Sequence, residues 1–143
     1  MALHLIKMSV GSESFASLDQ WQKKAAFKHP SGAKAFVHGT TMRPARWEEL
    51  TDGGSIYWVV KGFVIGRNPL AAIEYDDSKQ GRQRCSLVCA LPMIPVAPRR
   101  HRAFQGWRYL RGKDAPPDMT RRDIRKSDLP PGLAGELSDL GLL

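Results

Sequence analysis

Cysteine is scarce in this chain: Cys85 and Cys89 are the only two among 143 residues, and they stand in an apolar run of β character. On one strand they would share a face about 13 Å apart, far beyond disulfide reach, so a disulfide scaffold is excluded and two buried thiols are expected. The same separation stops them from chelating one zinc ion. His4, His29, His38 and His101 complete no ligand spacing that tetrahedral zinc uses, so no metal or cofactor is expected. A Gly-x-Ser-x-Gly elbow is missing, and so is a Gly-Lys-Ser/Thr phosphate loop, which leaves no catalytic residue to nominate. No apolar run approaches the ~20 residues that cross a bilayer. The opening Met-Ala-Leu-His-Leu-Ile-Lys has neither the apolar stretch nor the cleavage site of a signal peptide. A cytoplasmic protein without a membrane role is the expectation. Repeats and low-complexity segments are absent too, and the size prior makes residues 1–143 a single domain.

Positive charge is in excess, with 22 Lys/Arg against 14 Asp/Glu, a net charge of +8 and a pI near 9.9. The excess is concentrated. Residues 99–126 hold ten Lys/Arg and three Asp/Glu, whereas residues 127–143 hold no base and three acids. No acid interrupts the run from Arg99 to Lys113, which interleaves cations with Phe104, Trp107 and Tyr109. Guanidinium groups suit phosphate and aromatic rings suit base stacking, so Arg99, Arg100, Arg102, Arg108, Arg111 and Lys113 are candidate phosphate ligands, with Trp107 and Tyr109 as candidate stacking platforms. The competing reading is a solvated basic segment whose aromatics pack onto the sheet.

Hydrophobic patterning predicts a first strand from Leu3 to Val10, then a helix capped by Ser14 or Ser17 and running to Lys28, with Phe15, Leu18, Trp21 and Ala25 on its apolar stripe. His29-Pro30-Ser31-Gly32 ends it. Phe36 to Met42 follows as a strand with Phe36, His38 and Thr40 on one face, and a short helix begins at Pro44. Ser55 to Lys61 is the strongest β signal, apolar nearly throughout as in a strand covered on both faces. Lys61-Gly62 reverses the chain into a strand from Phe63 to Gly66. Asn68-Pro69 kinks it before a further strand from Leu70 to Tyr75, residues 76–83 read as a loop, and Arg84 to Leu91 continues into an edge broken by Pro92, Pro95 and Pro98. One or two helical turns over Met119 to Lys126 and a last helix docked through Leu133, Leu137 and Leu140 complete the chain, the latter in a short helical tail over 127–143. The fold class is α+β: a mainly antiparallel, barrel-like sheet of five or six strands with flanking short helices.

The opening Met-Ala-Leu-His-Leu-Ile-Lys, the run Leu50 to Gly62 and the run Arg102 to Leu110 resemble a family of short, uncharacterised alphaproteobacterial proteins, which implies a bacterial single-domain protein and no catalytic residue. More loosely, turn Gly53-Gly54, the apolar strand with Tyr57 and Trp58, the glycine-bearing return strand and the proline-broken strand are similar to the core of PUA-like domains, including the EVE and ASCH branches. That resemblance implies a small β-barrel that binds RNA or modified bases in a cleft.

His38 alternates with inward residues and makes, with Thr40, Trp58 and Lys61, a candidate cleft for a planar base. A hydrogen-bonded core histidine is the plainer reading. The function expected is a non-enzymatic binding module for RNA or another nucleic acid. Two alternatives stay open: a small enzyme or binding protein for a nucleotide or phosphorylated metabolite, and an interaction module for an acidic protein partner.

Overall fold

The computed structural model describes residues 2–76 and 84–119. Their strands are β1 (Leu3–Met8), β2 (Phe27–Lys28), β3 (Lys34–Thr40), β4 (Ser55–Val60), β5 (Phe63–Asp76), β6 (Arg84–Ala90), β7 (Ile94–Arg100) and β8 (Trp107–Arg111). Two short helices, α1 (Phe15–Lys24) and α2 (Trp47–Leu50), and a 3-10 turn at Gly112–Asp114 accompany them. The class is α+β with a mixed sheet. Of the loop expected over 76–83, Asp76 instead ends β5, and residues 77–83, like the helices expected beyond Met119, lie outside the described residues.

Strand β5 organises the sheet. Its first half pairs with β4 on one side and β7 on the other, and from Leu70 onward it pairs with β6. Asn68-Pro69 therefore does not split it, as the sequence suggested. The proline falls at the changeover, after the Arg67–Ile94 pair and before the Leu70–Cys89 pair, and the bending is taken up by bulges near Val64/Gly66 and Leu70/Ala72. Two layers result, β8-β1-β4-β5-β7 and β2-β3-β6-β5, which share this strand. Among the described residues β2 and β8 end the order unpaired with each other, so the sheet is open.

Among the described residues eight strands form where five or six were expected of the chain. Phe27–Lys28 is too short to register as a pattern, and Trp107–Arg111 reads locally as a basic surface. The β1–β4 pair is parallel, because the chain passes through α1, β2, β3 and α2 before returning beside its first strand. A meander of adjacent segments has no place for that pairing.

Phe36, Leu70, Leu87 and Cys89 of one layer meet Leu5, Ile56, Trp58 and Ile65 of the other in the main core, with Phe15 and Leu18 of α1 closing one side. A second cluster of Ile6, Tyr57, Val59, Val64 and Val96 lies on the opposite face of the first layer, under Phe104, Leu110 and Ala115. All six residues of β4 are consequently buried, as its unbroken apolar run implies. Each large apolar side chain so placed contributes about 1.5–3 kcal/mol.

Ser14 caps α1 in a capping box with Ser17, and the apolar stripe turns Phe15 and Leu18 inward. The helix ends at Lys24, not Lys28, because Phe27 and Lys28 pair with β3. Trp21 and Ala25, expected on the stripe, are exposed, and Gln22 takes the buried position. At Gly54 a Cβ would lie 2.3 Å from the carbonyl oxygens of both Leu3 and Leu50. Only glycine lets the end of α2 approach β1 this closely.

Candidate functional site

Directly paired residues on adjacent strands share a face. Trp107 on β8 faces Lys7 on β1, Lys7 faces Trp58 on β4, and Trp58 faces Gly66 on β5. Leu3 and Leu5 occupy the two preceding positions of that face on β1 and are buried, so Lys7 is a cation set at the end of an apolar row, between two tryptophans.

Beside it opens a cleft of about 480 Å³. Lys7, Met8, the loop residues Ser9 to Ser12, Ser17, Leu18 and Trp21 of α1, His38 of β3 and Trp58 of β4 line it. The His38 ring stands edge-on to Trp58 with centroids 5.6 Å apart. Burial, reinforced by the nearby Lys7 ammonium, holds the His38 pKa below its ordinary value of 6.5, which favours a neutral imidazole at physiological pH. Trp58 is fixed from behind: Asn68 Oδ1 accepts from its Nε1–H at 2.8 Å and from Gln22 Nε2 at 3.0 Å, and Asn68 Nδ2 donates to Gln22 Oε1 and to the Ala90 carbonyl. Gln22 and Asn68 are fully buried with these bonds satisfied. Trp21 is the exposed counterpart, 50% accessible at the rim, its ring perpendicular to that of Phe36 with centroids 5.5 Å apart. Val10, at 90%, stands out on the same rim.

Among the described residues no carboxylate lines this cleft, and His38 meets it as a neutral imidazole. Two indoles, a neutral imidazole, one ammonium and the hydroxyls of Ser9 and Ser12 suit a planar ring that carries acceptor or anionic groups. Thr40, on the His38 face of β3, is outside this lining, and Lys61 stands exposed in the β4–β5 turn with φ +49°.

The basic stretch does not form one surface. Trp107 and Tyr109 are half-buried on the inward face of β8, edge-on to each other at 5.1 Å, and pack against the main core. Arg108 projects from the opposite face and lies over Phe104, 4.9 Å from the ring centroid. Arg99 Nη1 donates to the Asp114 carbonyl at 2.6 Å, Arg100 stacks on Phe63 at 5.4 Å, and Arg102 is exposed in the loop after β7. Arg111 and Lys113 reach a separate depression beside α2. Sequence reasoning passed over Lys7 and treated Trp21 as core. The available signal was a lysine continuing the Leu3, Leu5 alternation.

Cys85 and Cys89 are free and buried, with burial pushing both thiols up. Among the described residues no three His, Cys, Asp or Glu side chains gather as a metal site, and no helix is long and apolar enough to cross a membrane. A family model described only as a protein of unknown function matches residues 5–143. No curated protein and no solved structure matches the chain.

Proposed function

The chain belongs to the DUF1489 family of proteins of unknown function, and from that premise we propose that it is a non-enzymatic module that binds single-stranded nucleic acid, RNA first among them, by taking one unpaired base into the cleft beside Lys7. The observation that carries this reading is the cleft's composition among the described residues: the half-exposed Trp21 for a base face, the buried Trp58 as a floor, Lys7 for the phosphate, neutral His38 and serine hydroxyls for the base edge, and no carboxylate in the lining to repel a polyanion. The net charge of +8 adds long-range attraction. The turn–strand–return order of β4 to β6 supports reading that part of the sheet as the counterpart of the PUA-like core. The free, buried cysteines suit a reducing compartment, and we place the protein in the cytoplasm.

A second reading uses the same residues. Lys7 and the hydroxyls of Ser9 and Ser12 suit the phosphate of a free nucleotide or phosphorylated metabolite as well. Titration of tryptophan fluorescence with single-stranded RNA at low salt tests the preferred reading: quenching is expected in the wild type and loss of binding in Lys7→Ala. No measurable binding to RNA or DNA at low salt would reject it and promote an acidic protein partner.

A further inference from the structure

The inward face of β8 continues past the cleft. It carries Trp107 opposite Lys7, Tyr109 opposite Leu5 and Arg111 opposite Leu3, so it leads from the cation of the cleft to the far end of β1. There a second depression of about 380 Å³ is lined by Arg46, Glu49, Arg111 and Lys113 around the backbone of residues 2, 3 and 112. Its one carboxylate is already engaged: Arg46 donates to Glu49 through Nε at 3.0 Å and Nη2 at 2.6 Å. Arg46 is itself tied to the strand, its guanidinium 5.7 Å from the Tyr109 ring and its backbone N–H donating to the Tyr109 hydroxyl at 3.1 Å. Pairing one acid with one of three cations leaves the charges of Arg111 and Lys113 over. Both are exposed, and neither meets an acid within ion-pair distance among the described residues.

Four residues of extended strand place the Arg111 row about 13 Å from the Trp107–Lys7 row. A nucleotide whose base sits in the cleft has its own phosphate beside Lys7. Only the phosphates of neighbouring nucleotides reach Arg111 and Lys113. Strand β8 lies at the end of the strand order, so its outer edge, along which such a chain would run from the cleft to this depression, meets no further strand among the described residues. Resting on the reading of the cleft given above, we propose that the depression at Arg111 and Lys113 is a phosphate subsite, so that the ligand is a single-stranded oligonucleotide laid along β8 and not a free nucleotide.

The test compares a pool of the four nucleoside monophosphates with a random-sequence RNA octamer, on wild type and on Arg111→Glu/Lys113→Glu, with Arg111→Gln/Lys113→Gln as a milder version should charge reversal disturb folding. The octamer should bind about tenfold tighter than the monophosphates, and the double variant should remove that gain and flatten the salt dependence of octamer binding by about 1.4, roughly 0.7 for each lost contact. Monophosphate affinity should stay unchanged. Equal affinity for octamer and monophosphates, or octamer binding indifferent to both double variants, overturns the subsite while leaving the cleft reading intact. Binding of neither probe overturns both.

Discussion

Asn68 Oδ1 accepts from Trp58 Nε1–H at 2.8 Å across a fully buried amide pair with Gln22, and this bond couples the core to the cleft. Trp58 stands perpendicular to the His38 ring and is hydrogen-bonded to the buried network, so its indole cannot tilt without breaking that bond. The network predicts an ordered series. Asn68→Leu should be the worst, since it strands the Trp58 N–H and Gln22 Oε1, each costing about 1–3 kcal/mol when buried without a partner, and leaves Gln22 Nε2 only the weak Met93 Sδ acceptor. Trp58→Phe loses the N–H and part of the ring, and should cost about 2–3 kcal/mol from the lost bond and the cavity left behind. Urea midpoints for the two single variants and their combination would show the coupling, and strict additivity would remove Asn68 as the anchor of Trp58.

A pH dependence follows from His4 and His38. The Ser55 N–H donates to His4 Nδ1 at 2.9 Å, which requires an unprotonated nitrogen there. Burial first and Arg67 second lower the His4 pKa, and burial first and Lys7 second lower that of His38. On acidification the unfolded chain takes up these protons near 6.5 while the folded chain resists, so stability is constant above that range and declines as pH falls from 6.5 toward the lowered folded values. The slope is at most about 1.4 kcal/mol per pH unit for each group. Urea midpoints from pH 7.5 to pH 5 should fall, and His4→Gln should flatten part of the decline. A flat profile would contradict the neutral acceptor role.

Arg67 holds Asp118 through two bonds of 2.7 Å and also donates to Ser55 Oγ at 2.8 Å. This pins residues 117–119 to β7, where Ala97 N–H donates to the Pro117 carbonyl and Met119 N–H to that of Pro95. The Arg67 hydrogen bond holds the Asp118 carboxyl below its ordinary 3.8, so its contribution is present above the ordinary carboxylate range and is lost as pH falls through the folded value. Because Asp118 is half-exposed, Asp118→Asn should cost only about 1 kcal/mol. Amide exchange at Ala97 and Met119 should accelerate in that variant, and unchanged exchange would show that the segment is held by other contacts.

The thiols give a simple check. Cys85 and Cys89 sit in the main core at 0% exposure, and burial raises both above the ordinary thiol range. Labelling with a maleimide should be negligible in the native protein and complete in denaturant. Fast native labelling would place one of them at the surface.

What the sequence discloses depends on how local the determinant is. The apolar run of Ser55 to Val60 reads directly as a strand buried on both faces, and the alternation of Phe36, His38 and Thr40 sets out the face on which His38 meets Trp58. The parallel β1–β4 pair depends on contacts about fifty residues apart and leaves no local trace. Trp107, Tyr109 and Arg111 alternate as a strand does, yet the density of arginine around them masks the period. Lys7 was hidden for the opposite reason, since a lysine closing a short apolar strand looks like a strand end until Trp58 and Trp107 are found on either side of it.

Three tryptophans on one side of the sheet separate stability from binding. Trp58 is 4% exposed and hydrogen-bonded through its indole, so Trp58→Ala should cost about 3–5 kcal/mol, as for other buried aromatics. Trp107 is half-buried against the core and shares an edge-on contact with Tyr109, which predicts an intermediate loss of stability for Trp107→Ala. Trp21 is half-exposed at the rim, where its ring stands perpendicular to that of Phe36. Trp21→Ala should therefore change stability by under about 1 kcal/mol, within the range of surface substitutions, yet weaken binding to single-stranded RNA by about 1–3 kcal/mol if its free face stacks on the base. Trp21→Phe keeps an aromatic face and should recover most of that loss, which a merely steric role at the rim would not require. Wild-type affinity in Trp21→Ala, with the fold intact, would remove the rim tryptophan from the binding cleft.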